Sequence, residues 1–161
     1  MTKVKVHKLD IDDFSEVDYD LIAINTAVED YRLAFLVNQT LNLSLSRLKE
    51  DVVLSDAENK DVGFSVYGYE DEKQHLYWSL VQNQKWIESQ SNKTSLLENF
   101  GRKLHLLSEL KNVDFLLKIE DSQFEPNQIQ DILTRIKRIE KVTAAFWIDA
   151  KKIKSKNNLI F

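Results

Sequence analysis

Gly63-Phe64-Ser65-Val66-Tyr67-Gly68-Tyr69 and Gln74-His75-Leu76-Tyr77-Trp78-Ser79-Leu80-Val81-Gln82, joined by Glu70-Asp71-Glu72-Lys73, decide the fold. Each run alternates apolar and polar residues with the period of a half-buried strand. The charged step between them suits a short connection, so the pair reads as an antiparallel hairpin. The alternation sends Phe64, Val66, Leu76, Trp78 and Leu80 toward the interior. Tyr67, Tyr69, His75 and Tyr77 are then expected together on the opposite face.

Other elements extend outward from this hairpin. Downstream, Val113–Ile119 is apolar enough for a central strand. Pro126 opens a helix in which Ile129, Ile132, Leu133, Ile136 and Ile139 keep helical spacing. Arg135, Lys137, Arg138 and Lys141 gather at its C-terminal end, where the helix dipole favours cations, and Val142–Ile148 follows as a closing strand. Upstream, Val4–Leu9 alternates as a first strand, an acidic connector (Asp10, Asp12, Asp13, Glu16, Asp18) follows, and Tyr19–Ile24 is a further strand. Thr26-Ala27-Val28-Glu29 has capping-box spacing and starts a helix running to about Leu41, with Asn42 suited to the left-handed position beyond it. Val28, Leu33, Phe35, Leu36, Val37 and Leu41 go most of the way round that helix, which predicts cover on more than one side. Lys49–Leu54 adds a strand before a polar loop at Ser55–Asp61. Gln82–Ser95 is polar and suits a surface excursion, while the Leu-rich steps of Leu96–Leu110 suit short helical turns.

The expected fold is a single α+β domain over residues 1–161. It has a mixed or antiparallel sheet, two main helices on one face, and two strand–helix–strand units flanking the central hairpin. Because the hairpin strands alternate, they need cover on one side only. A Lys-rich tail, 151–161, carries Lys151, Lys152, Lys154 and Lys156 before Leu159-Ile160-Phe161. Its apolar end is expected to fold back as an edge strand rather than dock elsewhere.

Composition narrows the function classes. With 161 residues, 43% hydrophobic, Gly 3 and Pro 1, the chain suits one globular core and no repetitive or disordered class. Lys+Arg of 22 against Asp+Glu of 26 gives a net charge of −4, which argues against nucleic acid as a general partner. No cysteine is present, so disulfides, thiolate nucleophiles, zinc ribbons and iron–sulfur ligation are excluded. The N-terminus lacks the apolar core of a secretory signal, and no stretch nears the roughly 18 apolar residues of a membrane span. The expected compartment is the cytoplasm.

The sequence carries no complete motif for catalysis or cofactor binding. Gly63 and Gly68 have phosphate-loop spacing, but Tyr69 and Glu70 stand where Lys and Ser/Thr are needed. His7, His75 and His105 lack neighbouring second ligands. A calcium loop counted from Asp10 would place Ser15 and Leu21 where Gly and Glu belong. No catalytic, metal-ligating or cofactor-binding set emerges. What remains is charge-dense Glu29-Asp30-Tyr31-Arg32 at a helix start, with Asp30 as acid or base and Arg32 as anion clamp. Asn38 stands alone on a greasy helix, where an amide bonds buried backbone or costs about 1–3 kcal/mol.

Leu107-Ser108-Glu109-Leu110-Lys111-Asn112-Val113-Asp114-Phe115 resembles the pattern behind the uncharacterised bacterial IPExxxVDY family. Glu109, Val113 and Asp114 match, Leu107 and Phe115 depart conservatively, and Ser108 replaces the proline. The helix Glu29–Asn38 also looks like that family's. The resemblance implies a small cytoplasmic bacterial protein and brings no catalytic residues. Physically, Asp114 is expected to bond a neighbouring loop amide or helix N-terminus, which is a packing role.

Three functional expectations follow. The first is a non-enzymatic interaction module that binds a protein partner, or itself as a homodimer, through the tyrosine face (Tyr67, Tyr69, His75, Tyr77) or a sheet edge. The second is a small-ligand or enzymatic pocket at Asn25–Arg32, assembled from Asp30, Arg32 and Asn38. The third is an RNA-binding sheet face, for which no basic run accompanies the tyrosines.

Overall fold

The computed structural model describes residues 17–88 and 101–161. The expected strand Val4–Leu9 and the acidic connector up to Glu16 lie outside the described residues, as does 89–100. In chain order the elements are β1 (Tyr19–Thr26), α1 (Asp30–Leu41), β2 (Ser46–Arg47), β3 (Val52–Ser55), β4 (Asp61–Phe64) and β5 (Val66–Asp71). There follow β6 (Leu76–Gln82), β7 (Gln84–Ile87), β8 (Arg102–His105), β9 (Phe115–Glu120), α2 (Pro126–Lys137) and β10 (Val142–Ile148). Two 3-10 turns, Ala150–Lys152 and Lys156–Leu159, close the chain.

A six-stranded sheet in the order β10-β1-β9-β6-β5-β2 forms the centre, every neighbouring pair antiparallel. Strands β9 and β10 run parallel to each other with β1 between them, so β9-α2-β10 is a split strand–helix–strand unit. Leu21, Ile22, Ala23 and Ile24 of β1 are fully buried, as a strand covered on both faces requires. Two small hairpins, β3–β4 and β7–β8, stand apart from the main sheet.

Both main helices lie on one face, as expected. Helix α2 starts at Pro126 behind a capping box in which the Glu125 N–H donates to Gln128 Oε1 at 2.8 Å. It buries Leu133 and Ile136. Helix α1 ends where Asn42 adopts φ 57, the left-handed position read from the sequence. It buries Leu33, Ala34 and Val37 over Ile22, Ile24, Leu117 and Leu80. Cover on more than one side is not found: Phe35 is 58% exposed. The capping box expected at Thr26–Glu29 is not formed either. β1 extends through Thr26, whose N–H donates to Asp114 Oδ2 at 2.8 Å and whose hydroxyl donates to the Lys141 carbonyl at 2.9 Å. The strand ends claim those groups before the helix can.

The opposite face is covered too, which corrects the expectation of one-sided cover. Leu21, Ala23, Val66, Val81 and Leu116 meet Leu106, Leu107, Val113, Ala150, Ile153 and Leu159 there. The covering chain is irregular. Asn83, with no exposed surface, holds it: its side chain donates to the Leu110 and Val113 carbonyls, both at 2.9 Å, and accepts from the Leu107 N–H at 2.9 Å. The polar stretch read as a surface excursion thus begins with a buried hub and continues as β7. Arg102–His105, in the stretch read as helical turns, is strand β8.

The tail folds back, in 3-10 turns rather than as an edge strand. Leu159 is buried, and its carbonyl accepts from Lys118 Nζ at 2.8 Å. That buried ammonium also pairs with Glu120 and lies 5.0 Å from the ring centres of both Tyr19 and Phe161.

Candidate functional site

The hairpin forms where expected, but its register dissolves the tyrosine face. Asp71 pairs with Leu76, Tyr69 with Trp78 and Tyr67 with Leu80. A four-residue connection sets odd residues of β5 beside even residues of β6, and directly opposed residues share a face. Tyr67 and Tyr69 therefore lie under the helices, with Tyr67 buried. Burial, then the nearby Asp30 carboxylate, push the Tyr67 hydroxyl above its ordinary range. Tyr77 points to the other face and covers Gly68, where a Cβ would meet its hydroxyl at 2.4 Å. His75 sits exposed in the turn at φ 55. The four residues make no common surface.

The pocket expected from Asp30, Arg32 and Asn38 is not assembled. Asp30 borders an open cavity of about 340 Å³ together with Thr26, Gln82, Gln84 and Asp114. Arg32 is exposed on the helix and does not line it. Asn38 is spent on backbone: it accepts from the Leu45 N–H at 2.8 Å and donates to the Leu45 carbonyl at 3.0 Å. Its structural reading stands. Asp114 has the expected packing role with other partners: it accepts from the Thr26 N–H at the end of β1 and from the Gln84 side-chain amide of β7, not from a loop amide or a helix N-terminus.

Other polar groups also bind the fold together. Glu109 accepts from the Ser155 N–H at 2.7 Å and from its hydroxyl, which moors the tail. Partial burial raises its carboxyl, but the bonds from Ser155 and the backbone prevail and hold it at about 2. Backbone bonds from Lys60 and Glu58, with Arg102 at 2.9 Å, keep the Asp56 carboxyl below its usual range. Asp20 accepts from Trp147 Nε1 at 2.9 Å and from the Ser122 hydroxyl at 2.8 Å. Among the described residues no three His, Asp or Glu side chains are grouped to hold a metal. A groove of about 700 Å³ opens between the hairpin tip and the start of α2, floored by Tyr69, Trp78 and Phe124. Among the described residues no helix is long and apolar enough to cross a membrane.

The two sheet edges differ more than the cavities do. At one edge β2 covers only Tyr67 and Gly68, and charge protects the rest: Arg47 lies 5.8 Å from the Tyr67 ring centre, while β5 ends in Glu70-Asp71. At the other edge stands β10, Val142-Thr143-Ala144-Ala145-Phe146-Trp147-Ile148, without a charge. Among the described residues nothing pairs with its outer side. Phe146 is 43% and Trp147 46% exposed, on opposite faces because they pair with Ala23 and Ile22. A bulge at Thr143, left unpaired where Asn25 meets Ala144 and Thr26 meets Val142, ends the regular stretch. The sequence held one signal here: an uncharged run between Lys141 and Asp149. Its pairing partner β1 was not readable from it. No family model, curated protein or solved structure matches the chain.

Proposed function

We propose that the protein is a non-enzymatic interaction module that takes up a protein partner by strand addition along β10. The observation that carries the reading is the uncharged outer edge of β10, flanked by half-exposed Phe146 and Trp147. Main-chain groups along such an edge supply affinity, and the alternating side chains supply selectivity. The small-ligand reading has less support, because Arg32 and Asn38 do not line the cavity that Asp30 borders. Of the two routes expected from sequence, the sheet edge replaces the tyrosine face.

Phe146→Lys tests the proposal by placing a charge on the edge. Proteins retained by the wild-type chain on affinity capture are expected to be lost by the variant. Its stability should change by no more than about 0.5 kcal/mol, as for other surface positions. Equal retention by both chains would remove β10 as the contact edge.

A further inference from the structure

We infer that the end of the sheet at the β5–β6 turn is a docking trough for an extended, Lys- and Arg-rich peptide of a partner protein. This goes beyond strand addition along β10 and does not depend on it. Strands β5, β9 and β10 end there, and β1 and β6 begin there. The groove floored by Tyr69, Trp78 and Phe124 is one part of the path. A second hollow shares Gln74, Phe124 and Gln128 with it. A third shares Asp121, Gln123 and Phe124 with the second and runs on to Tyr19, Trp147 and Asp149. Phe124 stands in the wall of all three, so they are joined.

Charge along this path is one-sided. Glu70, Asp71, Glu72 and Asp131 line the groove, and Asp18, Asp20, Asp121 and Asp149 line the hollows beyond it. Against these eight carboxylates, among the described residues, stand three permanent cations, Lys73, Arg135 and Lys151, an excess of five where the whole chain carries −4. Asp20, Asp71, Asp131 and Asp149 are already bonded. The exposed side chains of Asp18, Glu70, Glu72 and Asp121 have no partner among the described residues. Trp78 adds a second, uncharged sign. It is 5% exposed and lines the groove, and its Nε1–H has no acceptor among the described residues. A buried donor left without an acceptor is unfavourable, and an extended peptide carries a carbonyl at every residue. Lys and Arg lay apolar stems on aromatic rings and hold their charge at the rim, which matches an aromatic floor among carboxylates. A small cation would fill one hollow and leave the carboxylates of the others unmatched, whereas a peptide spans all three.

The probe is fluorescein-labelled octa-arginine, with octa-glutamate as control, titrated by anisotropy at about 0.15 M salt, where distant charges are screened. The wild type is expected to bind octa-arginine saturably and octa-glutamate not at all, and no binding of octa-arginine overturns the inference. The double variant Glu72→Lys, Asp121→Lys should weaken binding about tenfold. Glu50→Lys, Glu140→Lys makes an equal charge change at exposed positions off the path and should weaken it less than about twofold. Equal weakening by the two pairs reduces the effect to net charge and overturns the trough. Trp78→Phe keeps a ring, removes the N–H and should weaken binding about threefold, and an unchanged affinity overturns the groove as the peptide's seat. Binding gained only when Lys3, Lys5 and Lys8 are replaced by Ser assigns the trough to this chain's own N-terminal segment and overturns a partner occupant. Phe146→Lys is expected to leave octa-arginine binding intact, so the trough and the β10 edge fail separately.

Discussion

One face of the sheet is closed by helices and the other by irregular chain, and the two are held by different physics. Over the first, α1 and α2 satisfy their own backbone groups, so they need to contribute only apolar side chains such as Leu33, Val37, Leu133 and Ile136. Over the second, the segment around Leu106–Val113 and the terminal 3-10 turns cover the sheet without such a ladder. Local turns, such as Leu110 N–H to the Leu107 carbonyl and Val113 N–H to the Leu110 carbonyl, satisfy only part of its backbone, and the rest needs outside partners. Asn83, Lys118 and Glu109 provide them from distant points in the chain. Burying an asparagine or lysine is costly unless it is fully bonded, and on this face the bonds are what the residues are for.

The contrast is open to measurement. Asn83→Ala should have the largest effect, about 3–5 kcal/mol, because the buried Leu107 N–H and Val113 carbonyl lose their side-chain partner at about 1–3 kcal/mol apiece and the Leu110 carbonyl keeps only the Val113 N–H. Denaturant unfolding gives the total, and amide exchange should show the loss concentrated at 106–113. Ile136→Ala, on the helical face, is expected to cost about 2–4 kcal/mol through a cavity, with protection lowered evenly across the sheet. If Asn83→Ala were the milder of the two, the second face would be held by burial alone and the contrast would fail.

The smallest effect is one of pH. Glu109 is lowered from 4.5 to about 2 in the fold, so the folded state favours its charged form. The stability it lends is therefore present above about 4.5 and is lost as pH falls toward 2. Glu109→Gln should flatten that part of the stability–pH curve relative to wild type, and identical slopes would show that the tail is moored by other contacts.

How much of this was legible follows the same division. Helix α2 was readable because Pro126 and the Ile/Leu spacing agree, and β10 because β-branched and aromatic residues fill it between Lys141 and Asp149. The left-handed Asn42 and the packing role of Asp114 were readable from chemistry at single positions. The facing of Tyr67 and Tyr69 was misread, although a four-residue connection already fixes which parities meet. Thr26 has the right spacing for a helix cap but belongs to a strand, because tertiary bonds to Asp114 and Lys141 outrank local ones. Asn83 could not be recognised at all. A fully bonded amide and a solvated one look alike in a polar run, and only the chain 24 to 30 residues further on tells them apart.

The position of β1 has a consequence for how the molecule is made. Its neighbours on both sides, β9 and β10, arrive about a hundred residues later in the chain. Leu21-Ile22-Ala23-Ile24 therefore waits, greasy on both sides and unpaired, until β9 and β10 have been synthesised. Loop closure over that separation, rather than local propensity, governs the pace of folding. The interval before it closes is when a nascent chain most needs protection from sticking to others.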